Sequence, residues 1–128
     1  MKYYSSVKVA SGFDEAVART RELLAGEGFG VITEVDVRET MKKKLGVDFR
    51  NYLILGACNP PLAHKALQAE DKIGVLLPCN VIVQETDAGV EVAAMDPVAA
   101  MGTIGNQELE GVAAEVKARL DRVVGGLA

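Results

Sequence analysis

Residues 52–61 have the sequence Tyr-Leu-Ile-Leu-Gly-Ala-Cys-Asn-Pro-Pro, in which a strand pattern runs directly into the start of a helix. A strand is predicted over Tyr52–Cys58, and a helix over residues 60–70, because Asn59 is a favoured N-cap residue and Pro60 suits the first helical turn. Unpaired backbone amides gather at a helix start, so we expect them beside Cys58, where they would favour its thiolate.

The segments around this stretch alternate between strand and helix patterns. Further strands are predicted at residues 3–9, 29–37, 73–77, 79–86 and 90–95, and helices from about residue 12 to 26, at 38–45 and at 106–124. A helix start is predicted at Ser11, with Asp14 three residues later. The strand at 29–37 is expected to alternate between two faces, with Val31, Thr33, Val35 and Val37 on one and Ile32, Glu34 and Asp36 on the other. The helix at 38–45 is expected to be buried along residues 37, 41 and 45, and the helix at 60–70 along residues 62, 63, 66 and 67.

The last helix has the strongest pattern, with one apolar stripe along its length and an expected ion pair between Glu115 and Arg119. Hairpin strands, long helices at both ends and no strict strand–helix–strand repeat together predict an α+β fold. We expect a single domain over residues 1–128, in which a mostly antiparallel sheet is packed on one face by helices.

Composition excludes several classes of protein. The chain has 128 residues, a net charge of −4 and a pI near 5.0, which argue against a general nucleic-acid surface. Its apolar runs are too short to span a bilayer and its first residues have no leader pattern, so we expect a cytoplasmic protein without membrane contact. Its two cysteines are expected to be reduced and not bridged there.

Three runs of sequence resemble one known family. They are GFGVITEVDV at residues 28–37, YLILGACNP at 52–60 and LLPCNV at 76–81. In this order they resemble the bacterial and archaeal family called domain of unknown function 302, over nearly the whole chain. The resemblance implies a curved antiparallel sheet of the type found in the TATA-binding-protein half-domain, and it implies homodimers. It supplies no activity, and the acidic charge speaks against carrying DNA binding across.

The Cys58-Asn59 and Cys79-Asn80 pairs are the main candidate binding site. Both cysteines fall at strand ends, where a helix start or loop amides could favour a thiolate. Together with His64 they would suit zinc or another soft metal, although neither belongs to a C-x-x-C pair and a single histidine is a weak signal. The alternative is that both cysteines pack as small core residues and that His64 faces water.

Gly56 leaves a gap on the strand face that carries Cys58, which could form a pocket or admit a packed neighbour. Two acidic residues, Glu34 and Asp36, alternate onto one strand face and could share a cation or act as acid and base, but a solvated face is the favoured interpretation. The basic run from Arg38 to Lys44 could attract an anionic partner or could simply be the wet face of a helix.

Two functional hypotheses of different classes follow. In the first, the protein is a small-ligand or soft-metal binding module with a site at the two Cys-Asn corners. In the second, it is a homodimeric interaction domain, whose apolar strand segments at 81–83 and 90–92 need a partner. A cysteine-dependent redox enzyme is a distant third, because no complete catalytic motif is present, and a non-enzyme is therefore the expectation.

Overall fold

The computed structural model describes residues 2–128. In that range the strands are β1 (Tyr4–Val9), β2 (Gly30–Asp36), β3 (Tyr52–Cys58), β4 (Cys79–Thr86) and β5 (Gly89–Met95). The helices are α1 (Phe13–Gly26), α2 (Val37–Leu45), α3 (Pro60–Ala69), α4 (Pro97–Met101) and α5 (Gln107–Gly126), and a 3-10 helix spans Asp71–Leu76. None of these helices is long and apolar enough to cross a membrane.

The strands form one antiparallel sheet in the order β1-β5-β4-β3-β2, which is not closed. Helices α1 and α5 pack on one face, over a core that includes Val81, Val83 and Val92. We call the opposite side the open face; it carries Tyr4, Ala93, Ile82 and Tyr52, which alternate with core residues along their strands. The predicted α+β architecture is confirmed.

Helix α5 contributes the largest apolar stripe to the core. The buried residues of this stripe are those that its spacing predicts: Leu109, Ala113, Val116, Leu120, Val123 and Val124. The predicted pair is also present, because Arg119 Nε donates to Glu115 Oε1 at 2.9 Å. Side-chain packing against the sheet therefore decides the position of this helix.

β2 departs from the predicted alternation because its register with β3 shifts between Val31 and Thr33. A β-bulge sets two residues against one on the partner strand, so the side chains beyond it change face. Val31 shares the helix-covered face with Glu34 and Asp36, whereas Thr33 and Val35 lie on the open face. The prediction that Val31, Thr33, Val35 and Val37 share a face was therefore wrong, and Val37 already belongs to α2.

Residues 73–77, predicted as a strand, are helical up to Leu76. Ile73 is buried and Leu77 packs beside the same small core cluster, but Val75 between them is 85% exposed, so the run has no regular alternation between two faces. A short apolar run does not distinguish helix from strand by periodicity alone, which explains the error.

Three smaller expectations also fail. The N-cap of α1 is Gly12, which has no side-chain cap, so Ser11 lies one position too early. Leu45 is 68% exposed because α2 packs mainly on its flanking strands, and Leu67 on α3 is 43% exposed.

The strand valines that suggested a dimer are covered within the chain itself. Val81, Val83, Val90 and Val92 are each no more than 4% exposed, beneath the helices. The residues between them form the open face, so this argument for a partner does not hold.

Candidate functional site

Each Cys-Asn pair is divided between the two faces of the sheet. Cys58 and Asn80 lie on the open face. Asn80 pairs with Gly56, and Cys58 follows two residues after Gly56 on β3. Cys79 belongs to the core, and both it and Asn59 line a cavity of about 30 Å³ beneath the helices. Both cysteines are free. Cys79 pairs with Ala57 across the sheet, and successive residues of a strand point to opposite faces. Cys58, the residue after Ala57, is therefore close to Cys79 but on the other face of the sheet.

The start of α3 leaves no backbone amide for Cys58. The first two residues of this helix are prolines, which have no N–H group. The next two amides are occupied: Leu62 N donates to Asn59 Oδ1 at 3.4 Å, and Ala63 N donates to the Asn59 carbonyl at 2.8 Å. The helix start that was expected to favour a thiolate is thus satisfied by its own cap.

Cys79 is a core residue with 6% of its surface exposed. Burial, and to a smaller extent the neighbouring Cys58 thiol, raise the pKa of Cys79 to about 11. Cys79 is consequently a neutral thiol at physiological pH and packs as a small hydrophobic side chain, which is the alternative left open by the sequence.

His64 lies on the exposed side of α3, away from the buried Cys79. Among residues 2–128, no three His, Cys, Asp or Glu side chains gather closely enough to hold a metal ion. The suggested ligand set of Cys58, Cys79 and His64 is therefore spread over three separate environments.

Glu34 and Asp36 share a strand face, but each has a structural partner. Glu34 forms an ion pair with Arg21, between β2 and α1. Asp36 is the N-cap of α2 and accepts a hydrogen bond from the Glu39 amide at 3.0 Å. These contacts favour support of the fold over a shared cation.

The gap at Gly56 is filled by packed neighbours. A Cβ atom built there would lie 1.9 Å from Thr33 Oγ1 and 2.7 Å from Pro78 Cγ. The side chains of Thr33 and Pro78 therefore occupy the space that a side chain at position 56 would need, and they leave no pocket there.

The open face carries a groove of about 390 Å³ that the sequence analysis missed. Its floor includes Ala93 and Ile82, which are direct cross-strand partners, and Tyr4 and Tyr52 stand at its sides. Depressions of about 480 and 460 Å³ beside α2 are lined almost wholly by exposed side chains and are open to water.

A sequence signal for this groove exists in β4. Asn80, Ile82 and Gln84 alternate with buried residues, so a strict period of two indicates a mixed polar and apolar second face. The small side chain of Ala93 creates the depression, which depends on cross-strand register and cannot be inferred from one strand.

One end of the groove has a chain of polar side chains that runs from the loop before β3 to β4 and β5. Arg50 Nε donates to Gln84 Oε1 at 2.8 Å, and Gln84 Nε2 donates to Glu91 Oε1 at 2.9 Å. The Arg50 guanidinium carbon lies 4.5 Å from the Phe49 ring centre and 5.4 Å from that of Tyr52. Both ends of the Gln84 amide are used, so its orientation and that of Arg50 are set together.

These features define a class of α+β proteins in which helices cover one face of an antiparallel sheet and a groove lies on the other. The chain belongs to the family described as Domain of unknown function DUF302, whose model matches residues 5–127. It is similar to the crystal structure of an uncharacterized conserved protein DUF302 from Bacillus stearothermophilus, with 29% identity, 100% of each chain covered and a TM-score of 0.93. A comparison with curated proteins finds no match.

Proposed function

We propose that the protein is a small-molecule binding module whose site is the groove on the open face of the sheet. The observation that carries the proposal is the combination, in one groove, of an apolar floor and a preset polar end at Gln84 and Glu91. Ligand sites commonly have volumes of roughly 300–1,000 Å³ and combine apolar walls with a few fixed polar groups. The groove, at about 390 Å³, suits a ligand with one ring or a short chain.

The predicted binding residues take different parts in this proposal. Asn80 lines the groove, and Cys58 lies on the same face with part of its surface exposed. Asn59 and Cys79 support the strands from the core side. A soft metal would therefore find one thiol, Cys58, and no second thiol on the same face. The proposal extends to the cytoplasm as the compartment and to a sheet shape like that of the TATA-binding-protein half-domain, both as expectations from the sequence.

A fragment screen by ligand-observed NMR tests this function. The variant Ala93→Phe fills the floor of the groove and should abolish binding, while Ala114→Phe, which adds the same ring to an exposed position on α5, should bind as the unmodified protein does. If Ala93→Phe fails to fold, Tyr52→Ala provides a second test. It removes one side of the groove without filling it and should weaken binding. Equal binding by all variants would refute the groove as the site.

A second candidate function is a homodimeric interaction domain. It is favoured by exposed apolar side chains on the edge strand β2 and beside α2, where Ile32, Leu45 and Val47 are 62%, 68% and 46% exposed. Light scattering should then give twice the chain mass of 13.6 kDa. Ile32→Glu should restore the monomer, whereas Val75→Glu, at a position that is 85% exposed, should not. A monomer at micromolar concentration would contradict this candidate.

A further inference from the structure

The polar end of the groove has more binding capacity than the fold uses. A guanidinium group carries five N–H donors, and the fold occupies the Nε donor of Arg50 through Gln84. Among residues 2–128, the terminal nitrogens of Arg50 have no hydrogen-bond partner, and Arg50 has no ion pair. The two terminal nitrogens of Arg50, which we call the Arg50 fork, are therefore free to bind a ligand at the Gln84 end of the groove.

The surroundings of Arg50 hold this fork in place. The guanidinium carbon lies close to two aromatic rings that contact each other, those of Phe49 and Tyr52, and Gln84 is itself held by Glu91. The Gln84 amide lies between Arg50 and Glu91, so the two side chains do not form a direct ion pair that would neutralise the Arg50 charge. The arginine is thus oriented without being paired, which reduces the entropy lost when it binds an anion.

We propose that the groove selects amphipathic monocarboxylates, with the carboxylate on the Arg50 fork and the apolar part over Ile82 and Ala93. This inference rests on the proposed function and names its ligand class. Guanidinium and carboxylate groups match as parallel pairs of charge-assisted hydrogen bonds. Glu91 adds a negative charge on the same row of the sheet and disfavours a ligand with two negative charges, such as a phosphonate dianion.

Matched probe pairs test the ligand class. Arylalkyl carboxylates such as 4-phenylbutyrate are titrated against the corresponding carboxamides and phosphonates by isothermal calorimetry. The carboxylate should bind about tenfold more tightly than the carboxamide, as expected for a charge-assisted hydrogen-bonded pair, and more tightly than the phosphonate. Arg50→Gln should remove this preference. Lys44→Gln removes the same charge from the exposed side of α2 and should preserve it.

Gln84→Met separates orientation from charge. Arg50 is retained in this variant but loses its fixed Nε partner, so the ratio of carboxylate affinity to carboxamide affinity should fall towards one. Equal affinities of carboxylate and carboxamide for the unmodified protein would overturn the ligand class and leave groove binding intact. If no member of any pair binds, the ligand class is refuted, and the fragment screen decides separately whether the groove binds small molecules.

Discussion

Raising the pH should destabilise the fold through Cys79. The pKa of this thiol is about 11 in the fold against an ordinary value of 9.0, chiefly because of burial. Below pH 9 the Cys79 thiol is neutral in both the folded and the unfolded protein, so its contribution to stability is fully present there. Above pH 9 the unfolded chain ionises first, and stability is lost until the folded thiol also ionises near pH 11. Two pKa units correspond to about 2.7 kcal/mol.

Urea unfolding at pH 8, 9, 10 and 11 measures this loss. Lysines and tyrosines titrate in the same window, so the informative quantity is the difference between the unmodified protein and Cys79→Ala, which is expected to shrink by about 2 to 3 kcal/mol over that window. Cys58→Ala provides the control and should retain most of the alkaline loss, because burial contributes more than Cys58 to the raised pKa of Cys79. Parallel pH curves for the unmodified protein and Cys79→Ala would refute the reasoning, as would fast alkylation of Cys79 in the folded protein at neutral pH.

Three further changes should alter stability in ways that follow from single contacts. Gly56→Ala should lower the free energy of unfolding by about 1–3 kcal/mol, because its Cβ would lie 1.9 Å from Thr33 Oγ1; adding Thr33→Ala should recover part of the loss in a double-mutant cycle, and additive effects would contradict this. Asn59→Ala should cost about 1–2 kcal/mol in urea unfolding, since it removes the α3 cap and a donor to the Glu27 carbonyl; no change would show that the cap is dispensable. The Arg122 hydrogen bond lowers the pKa of Glu27, so the stability gained over Glu27→Gln should be present above the ordinary value of 4.5 and disappear as the pH falls through the lower folded value; a difference that persists in acid would contradict it.

The sequence predicts elements that have a clear periodicity or a strong cap. Helix α5 shows its core stripe over five turns, and β3 and the Asn59 cap appear where the pattern places them. The bulge in β2 has no such signal, because an alternating strand looks the same with or without an extra residue. The 3-10 helix after Asp71 likewise depends on tertiary contacts of Ile73.

The site was harder to predict than the fold. The two Cys-Asn pairs are similar in sequence, but the strand on which each cysteine lies sets the direction of its side chain. Cys58 faces the open side of the sheet and Cys79 faces the core. The groove depends on four strands that meet only in the folded sheet. Its polar end joins Arg50, in the loop before β3, to Gln84 on β4 and Glu91 on β5. Such a constellation becomes visible only when the strand order and register are known.

Methyl chemical-shift mapping is the most direct measurement of the central claim that the open face binds a small molecule. On titration with 4-phenylbutyrate, the methyl signals of Ile82, Ala93 and Met95 in the groove should shift together and saturate with one dissociation constant. The methyl signals of Leu120, in the core beneath the helices, should stay in place. Shifts confined to Ile32 and Leu45 beside α2, or no shifts in the groove, would contradict the account.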